Sequence, residues 1–314
     1  MKLLLLPVLM FSFAAHAEDA NKTETNVKIK KEKKTDKADQ AITNRRFRAS
    51  NGSLSDFSLN ASLSYNGGSL DKPFAADRPN IIGAGNQAFV SGVAGTLRGS
   101  YRLNALNRLS AGAGVQMLAP FNDTIDTDSA SAKKQFDENQ GNLDVNNPFI
   151  NYSYMNKFFG VQTILAAGFT QYTAGNFVKG GYDQAIDVSI NTMYDFGGSP
   201  LSIGMLAVGT RNLFDKDDAA LLSSQNETVF GFLPQAEYVI NDTFNLRTIV
   251  RSNWYQNNRA ERRTKYFSRP VTQSVGLGIS VNRDIFLYPN IQFAWENAQA
   301  SNTNVGFTAN INMF

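Results

Sequence analysis

Cysteine is absent from all 314 residues. That excludes a disulfide framework, a thiolate metal site and a lipid anchor on an N-terminal cysteine together. Histidine occurs once, as His16, inside a segment read below as an export signal, so a serine–histidine hydrolase and a histidine metal site both lack their key group. Long apolar runs are missing too. Beyond the first seventeen residues no stretch reaches the roughly eighteen apolar residues of a spanning helix, and mean hydropathy is -0.28. A helical membrane protein is excluded. Paired carboxylates without histidine, such as Asp217-Asp218 or Asp126 with Asp128, sit in stretches rich in Asn, Ser and Asp and read as solvated loop charge. Neither an enzyme nor a cofactor is expected.

Charge is scarce on what remains and gathered at one end. The formal net charge of +3 hides a segment, Glu18 to Ser50, with ten Lys/Arg against six Asp/Glu; from residue 51 onward the balance is nineteen against twenty-one. The folded part therefore offers no basic footprint for nucleic acid. Lys2 followed by an apolar run from Leu3 to Ala15, with Ala15-His16-Ala17 behind it, reads as a signal peptide over residues 1–17. Residues 18–50 hold one aromatic, Phe47, and read as a flexible periplasmic segment. Its Lys-rich stretch from Lys28 to Lys37 is either a solvated spacer or a binder of an anionic polymer such as peptidoglycan, or of lipid head groups.

Residues 51–314 alternate apolar with small or polar residues, the period of strands with two unlike faces. Phe57, Leu59, Ala61, Leu63 and Tyr65 share one face of a first strand, and Leu109, Ala111, Ala113, Val115 and Met117 one face of a third. The pattern recurs to a twelfth strand carrying Val305, Phe307, Ala309 and Ile311; only the seventh, around Leu201 to Val208, is ambiguous in phase. Links alternate in length. Short ones fall near Asn104–Asn107, Met155–Phe158, Phe196–Pro200, Asn241–Asp242 and Asn282–Asp284, and long polar ones lie between, including Pro120–Asn147 and Gln256–Arg269. Several strands run to about ten residues, enough to cross a tilted bilayer. The non-apolar face is too small and polar to fill a dry core, as Ser58, Asn60, Gly112 and Asn310 show. Aromatics such as Tyr101, Tyr154, Trp254 and Trp295 fall near strand ends, where amphipathic rings suit lipid head groups.

A signal peptide, alternating strands, alternating link lengths and a terminal aromatic, Phe314, after NVGFTANINM make residues 51–314 resemble Gram-negative outer-membrane β-barrels in architecture. The resemblance implies an all-β fold: a single antiparallel transmembrane barrel of about twelve strands with a disordered N-terminal segment, both termini being periplasmic. It also implies outer-membrane lipid and lipopolysaccharide as surroundings. Phe314 is similar to the signal read by the barrel-assembly machinery, but it is even-numbered while the apolar face of its strand is odd, so either a bulge intervenes or the ring turns inward.

Arg98, Arg102, Asp187, Glu237, Arg247 and Arg251 fall on the inward face. They form either a selectivity constriction or an internal ion-pair network. The loop with Arg259, Arg262, Arg263, Lys265 and Arg269 is strongly basic and faces an acidic counterpart in Pro120–Asn147. It is either solvated or a binder of lipopolysaccharide phosphate or an anionic solute, and the two loops together read as a clasp or an interaction surface. Three functions are compatible with this pattern: a porin-like channel for passive diffusion of small polar solutes, a structural or adhesive barrel with a closed lumen, and a barrel threaded by residues 18–50 as a plug.

Overall fold

The computed structural model describes residues 36–82, 89–215, 225–257 and 265–313. The signal peptide, residues 18–35, Arg259, Arg262, Arg263 and Phe314 lie outside them. Twelve long strands run in chain order: β1 Phe57–Ser69, β2 Gly92–Arg102, β3 Asn107–Leu118, β4 Leu143–Phe158, β5 Val161–Gln171, β6 Tyr182–Asp195, β7 Leu201–Phe214, β8 Asn226–Val239, β9 Phe244–Asn257, β10 Thr272–Ser280, β11 Ile285–Ala294 and β12 Asn304–Met313. Each pairs antiparallel with its chain neighbour, and β1 pairs with β12 through Leu59↔Met313 to Tyr65↔Phe307, closing the sheet. A closed ring satisfies every strand's backbone, which is the condition for β structure in lipid.

The wall is inside out. Val188, Leu246, Ile150 and Ile203 point outward at 46–56% exposure, while Ser110, Ser153, Gln235 and Asn310 on the opposite faces are buried. Hydrogen bonds lace the inner face: Asn60 Nδ2 donates to Asn312 Oδ1 (2.5 Å), Ser100 Oγ to Asn60 Oδ1 (2.5 Å) and Ser62 Oγ to Asn310 Oδ1 (2.8 Å). The ambiguous β7 resolves with Leu201, Ile203 and Met205 outward and Ser202 inward.

Short links of two to five residues close one end of the barrel, at 103–106, 159–160, 196–200, 240–243 and 281–284. The tightest differs from the expected Met155–Phe158. Those residues continue β4, and the turn is Phe159-Gly160, whose positive φ values of 50° and 86° are those of a two-residue hairpin turn. At the other end the acidic stretch Pro120–Asn147 is not all loop. It holds a helix, Ala130–Asn139, capped by Ser129, and β4 already begins at Leu143. Phe136 and Ala132 of that helix pack on Ala76, Val90, Leu118 and Ala119 in a small core of their own.

The largest departure from expectation concerns the end of the flexible segment. By composition residues 36–50 belong to a flexible segment too polar to fold alone; instead Lys37–Ala41 (α1) and Arg45–Asn51 (α2) are helices docked inside the barrel. They fold because the barrel supplies the missing surface. Phe47, Ile42 and Ala49 are almost fully buried against its inner wall.

Candidate functional site in the barrel lumen

Two local devices shape the inner segment. Asp36 caps α1, its Oδ1 accepting from Ala38 N–H (2.8 Å), and Asn44 caps α2, its Oδ1 accepting from Phe47 N–H (3.1 Å). Gly52 ends α2 at φ 99°, and a Cβ there would lie 2.2 Å from an Arg108 guanidinium nitrogen. Only glycine admits both the backbone turn and that approach.

The wall receives this segment in its short-turn half. Phe47 and Ile42 enter a nest of Met155, Ile164 and Met193, and Ala49 rests on Phe286 and Tyr288. Gln162, fully buried, accepts the backbone N–H of Thr43 and of Asn44 at 2.7 Å each and donates to Asp195 (2.6 Å). Arg283 and Arg48 both approach Asp39, Arg283 at 2.9 Å and Arg48 at 3.5 Å. Arg45 pairs with Asp242 at 2.6 Å in solvent, a contact of little energetic weight.

At the centre stands Glu237, 2% exposed. Its carboxylate accepts from Arg46 Nε (3.2 Å) and Asn44 Nδ2 (2.9 Å), and Arg247 Nε lies 3.3 Å away, an ion pair by distance without hydrogen-bond alignment. Gln235 Oε1 accepts from Arg46 (2.9 Å) and Arg247 (3.2 Å). Two buried cations thus share one carboxylate, one cation coming from the segment and one from the wall.

The six inward residues named from the sequence divide accordingly. Glu237 and Arg247 join this triad, and Arg102 donates to Asp36 (2.5 Å) and to Leu54 O (2.6 Å). Arg98 donates to Ser50 O. Asp187 instead accepts from Thr210 (2.6 Å) and Thr170 (3.5 Å), away from the segment. Arg251 lies two pleat repeats beyond Arg247 on β9, paired in register with Thr272. Of the basic loop, Lys265 is exposed and the Arg269 guanidinium lies over the Tyr255 ring at 5.5 Å. No ion pair joins this loop to Pro120–Asn147 among the described residues.

Sequence reading passed over Arg108, Gln162, Asp195, Gln235, Arg283, Phe286 and Tyr288. For the apolar part a signal existed. Met155, Ile164, Met193, Phe286 and Tyr288 all fall out of phase with the outward faces of their strands, and each stands close to a short link. Apolar residues that break alternation on one side of a barrel mark where something apolar docks inside.

Beside α2 the lumen stays open as a cavity of about 270 Å³ lined by Ser50 and Asn51 of the segment and by Arg98, Arg108, Ser153 and Asn191 of the wall, among others.

No protein-family model and no curated relative matches the chain. Among solved structures it is similar to the NanC porin, with 12% identity, a TM-score of 0.44 and coverage of 82% of this chain and 98% of that one. It is also similar to an outer membrane channel from Pseudomonas putida F1 (9% identity, TM-score 0.48, 83% and 97% covered). A third is OmpT, an outer membrane protein of Vibrio cholerae (8% identity, TM-score 0.35, 82% and 98% covered). Similarity at this level assigns no residue a role.

Proposed function

We propose that the protein is an outer-membrane channel for the passive diffusion of small polar solutes, narrowed by its own N-terminal segment. The observation that carries this reading is the lumen itself. Its wall is polar, its short-turn half is occupied by α1 and α2, and a polar cavity remains beside them. Twelve strands stand between the eight that side chains alone fill and the sixteen or so that leave a wide pore, which suits a passage that one short segment restricts. The short-turn end is the periplasmic one in this reading, and both termini are periplasmic. The loop with Arg259, Arg262, Arg263, Lys265 and Arg269 then meets lipopolysaccharide phosphate at the outer face.

The docked segment also favours a second reading, a structural or adhesive barrel whose lumen is closed. Single-channel conductance in planar bilayers separates them. The full chain is expected to give small discrete steps, and a chain lacking residues 18–51 steps several-fold larger. Silence from both forms, with folding verified by heat-modifiable electrophoretic mobility, rejects the channel.

A further inference from the structure

Arg98 and Arg108 stand apart from the other arginines of the short-turn half. Arg102, Arg247 and Arg283 each have a carboxylate within 4 Å; among the described residues Arg98 and Arg108 have none. Arg108, 4% exposed, spends its two terminal nitrogens on Ser58 Oγ (2.9 Å) and Ser53 O (2.7 Å), and Arg98 donates to Ser50 O. The Nε–H of each is buried without a hydrogen-bond partner. Both side chains line the cavity beside α2, whose wall contains no Asp or Glu and presents hydroxyls and amides from Ser110, Asn151, Ser153 and Asn191. The inward carboxylate farther along β6, Asp187, is already held by Thr210 and Thr170.

A buried guanidinium with no carboxylate within 4 Å is costly, and here two share one cavity. An oxyanion answers the arrangement, because arginine donates to carboxylate and phosphate oxygens through paired N–H groups. The surrounding hydroxyls and amides suit a hydroxylated body attached to that head. At about 270 Å³ the space sits near the lower end of small-molecule sites, roughly 300 Å³.

We propose that Arg98 and Arg108 form an anion station in the lumen, which takes a small polar solute bearing a carboxylate or a phosphate and hands it past the inner segment. The proposal deepens the channel reading and rests on it for the passage of the solute, though not for binding.

Calorimetry on the full chain folded in detergent tests binding with two probes, inorganic phosphate and gluconate. Saturable binding of at least one is expected, weakened about tenfold or more in Arg98→Gln and in Arg108→Gln. Arg98→Lys and Arg108→Lys, which keep the charge, are expected to retain most of it. The probe that binds identifies the head group. Binding of neither, or binding that the glutamine variants leave unchanged, overturns the station. Reversal potentials across a potassium chloride gradient then test passage: anion preference in the wild type, lost in the double glutamine variant, supports the proposal. A conducting wild type without anion preference overturns the hand-over and leaves the channel reading standing. Absence of conductance removes the channel reading, while calorimetry still decides whether the station exists.

Discussion

Replacing Glu237 by glutamine keeps the side chain's shape and removes the one charge that two buried arginines share. Arg46 then has a neutral amide oxygen at best in place of its carboxylate acceptor at 3.2 Å, Arg247 loses its ion pair at 3.3 Å, and both keep Gln235 Oε1, so neither retains a counter-charge in this cluster. Stranding a buried charge costs about 3–5 kcal/mol. A lumen wet enough to admit water favours the lower figure, so the docked-to-undocked ratio of the segment should fall roughly 150-fold, at about 1.4 kcal/mol per tenfold. Arg46→Ala is gentler, because Glu237 then keeps Arg247; about 2 kcal/mol, or roughly thirtyfold, is expected from the lost charged hydrogen bonds. The two substitutions share partners, so the double variant should cost less than their sum.

The absence of cysteine supplies the assay. A single Ala49→Cys places the only thiol at a position 2% exposed against Phe286 and Tyr288. Its rate of alkylation by a membrane-impermeant maleimide reports the fraction of time the segment is out. Rates rising in the order Ala49→Cys alone, with Arg46→Ala, with Glu237→Gln are expected. Equal rates in all three would refute the idea that this carboxylate holds the segment.

Two further outcomes follow from the same geometry. Val188, 56% exposed in mid-β6 and flanked in register by Ala167 and Gly209, faces lipid, so Val188→Arg should cost about 2–4 kcal/mol in urea titrations of the barrel folded into vesicles; a neutral result contradicts an outward apolar belt. The hydrogen bond from Arg102 lowers the Asp36 carboxyl below the ordinary aspartate value of about 3.9, outweighing the opposing effect of burial. A depressed folded value means that this stabilisation is complete above the ordinary value and is lost as pH falls through the folded one. Amide-exchange protection of Ala38 to Ile42 should therefore be flat from about pH 7 to 5 and decay only below about 4, whereas Asp36→Asn should remove that decay; decay already between pH 7 and 5 would contradict the assignment.

The barrel was legible because its information is periodic. Outward residues such as Phe57, Leu59 and Ala61 repeat at every second position, and a one-residue slip would invert both faces, so the pattern fixes register as well as existence. The lumen was less legible for a physical reason. Residues 36–50 have no periodicity long enough to declare a helix, since α1 and α2 hold five and seven residues, and such helices form only where tertiary surface carries them. Their stability belongs to Met155, Ile164, Met193 and Phe286, residues far away in the chain. Composition therefore assigned Phe47 to a spacer, when its single ring is the apolar anchor. Parity puts Arg98, Arg102, Glu237 and Arg247 on one face of their strands, but it carries no sign that three of them hold the segment's backbone or its Arg46 and one, Arg247, shares the carboxylate.

The wall grips the segment in two different ways, and the difference bears on whether it leaves. One set of contacts reads backbone. Ala49 O accepts from Asn312 (2.7 Å), Gly52 O from Arg283 (3.2 Å), Ser53 O from Arg108 and Leu54 O from Arg102, while Ser50 O accepts from Arg98. These carbonyls are the unpaired end of α2 and the chain just after it, where partial negative charge collects and cations belong. Such bonds ask little of the segment's sequence, and water replaces them at a net cost of about 1 kcal/mol each when the lumen is wet. The sequence-specific hold is made of side chains: Arg46 and Asn44 on Glu237, Arg46 on Gln235, Asp39 on Arg283 and Asp36 on Arg102, with Phe47 in its nest. Once those yield, the remaining wall arginines face a solvent that satisfies them nearly as well as the carbonyls did. Of the ion pairs that hold the segment, that of Arg46 on Glu237 is the most deeply buried, ahead of Asp36 on Arg102 and Asp39 on Arg283, so loss of the Glu237 charge is expected to loosen the segment more than loss of either outer pair.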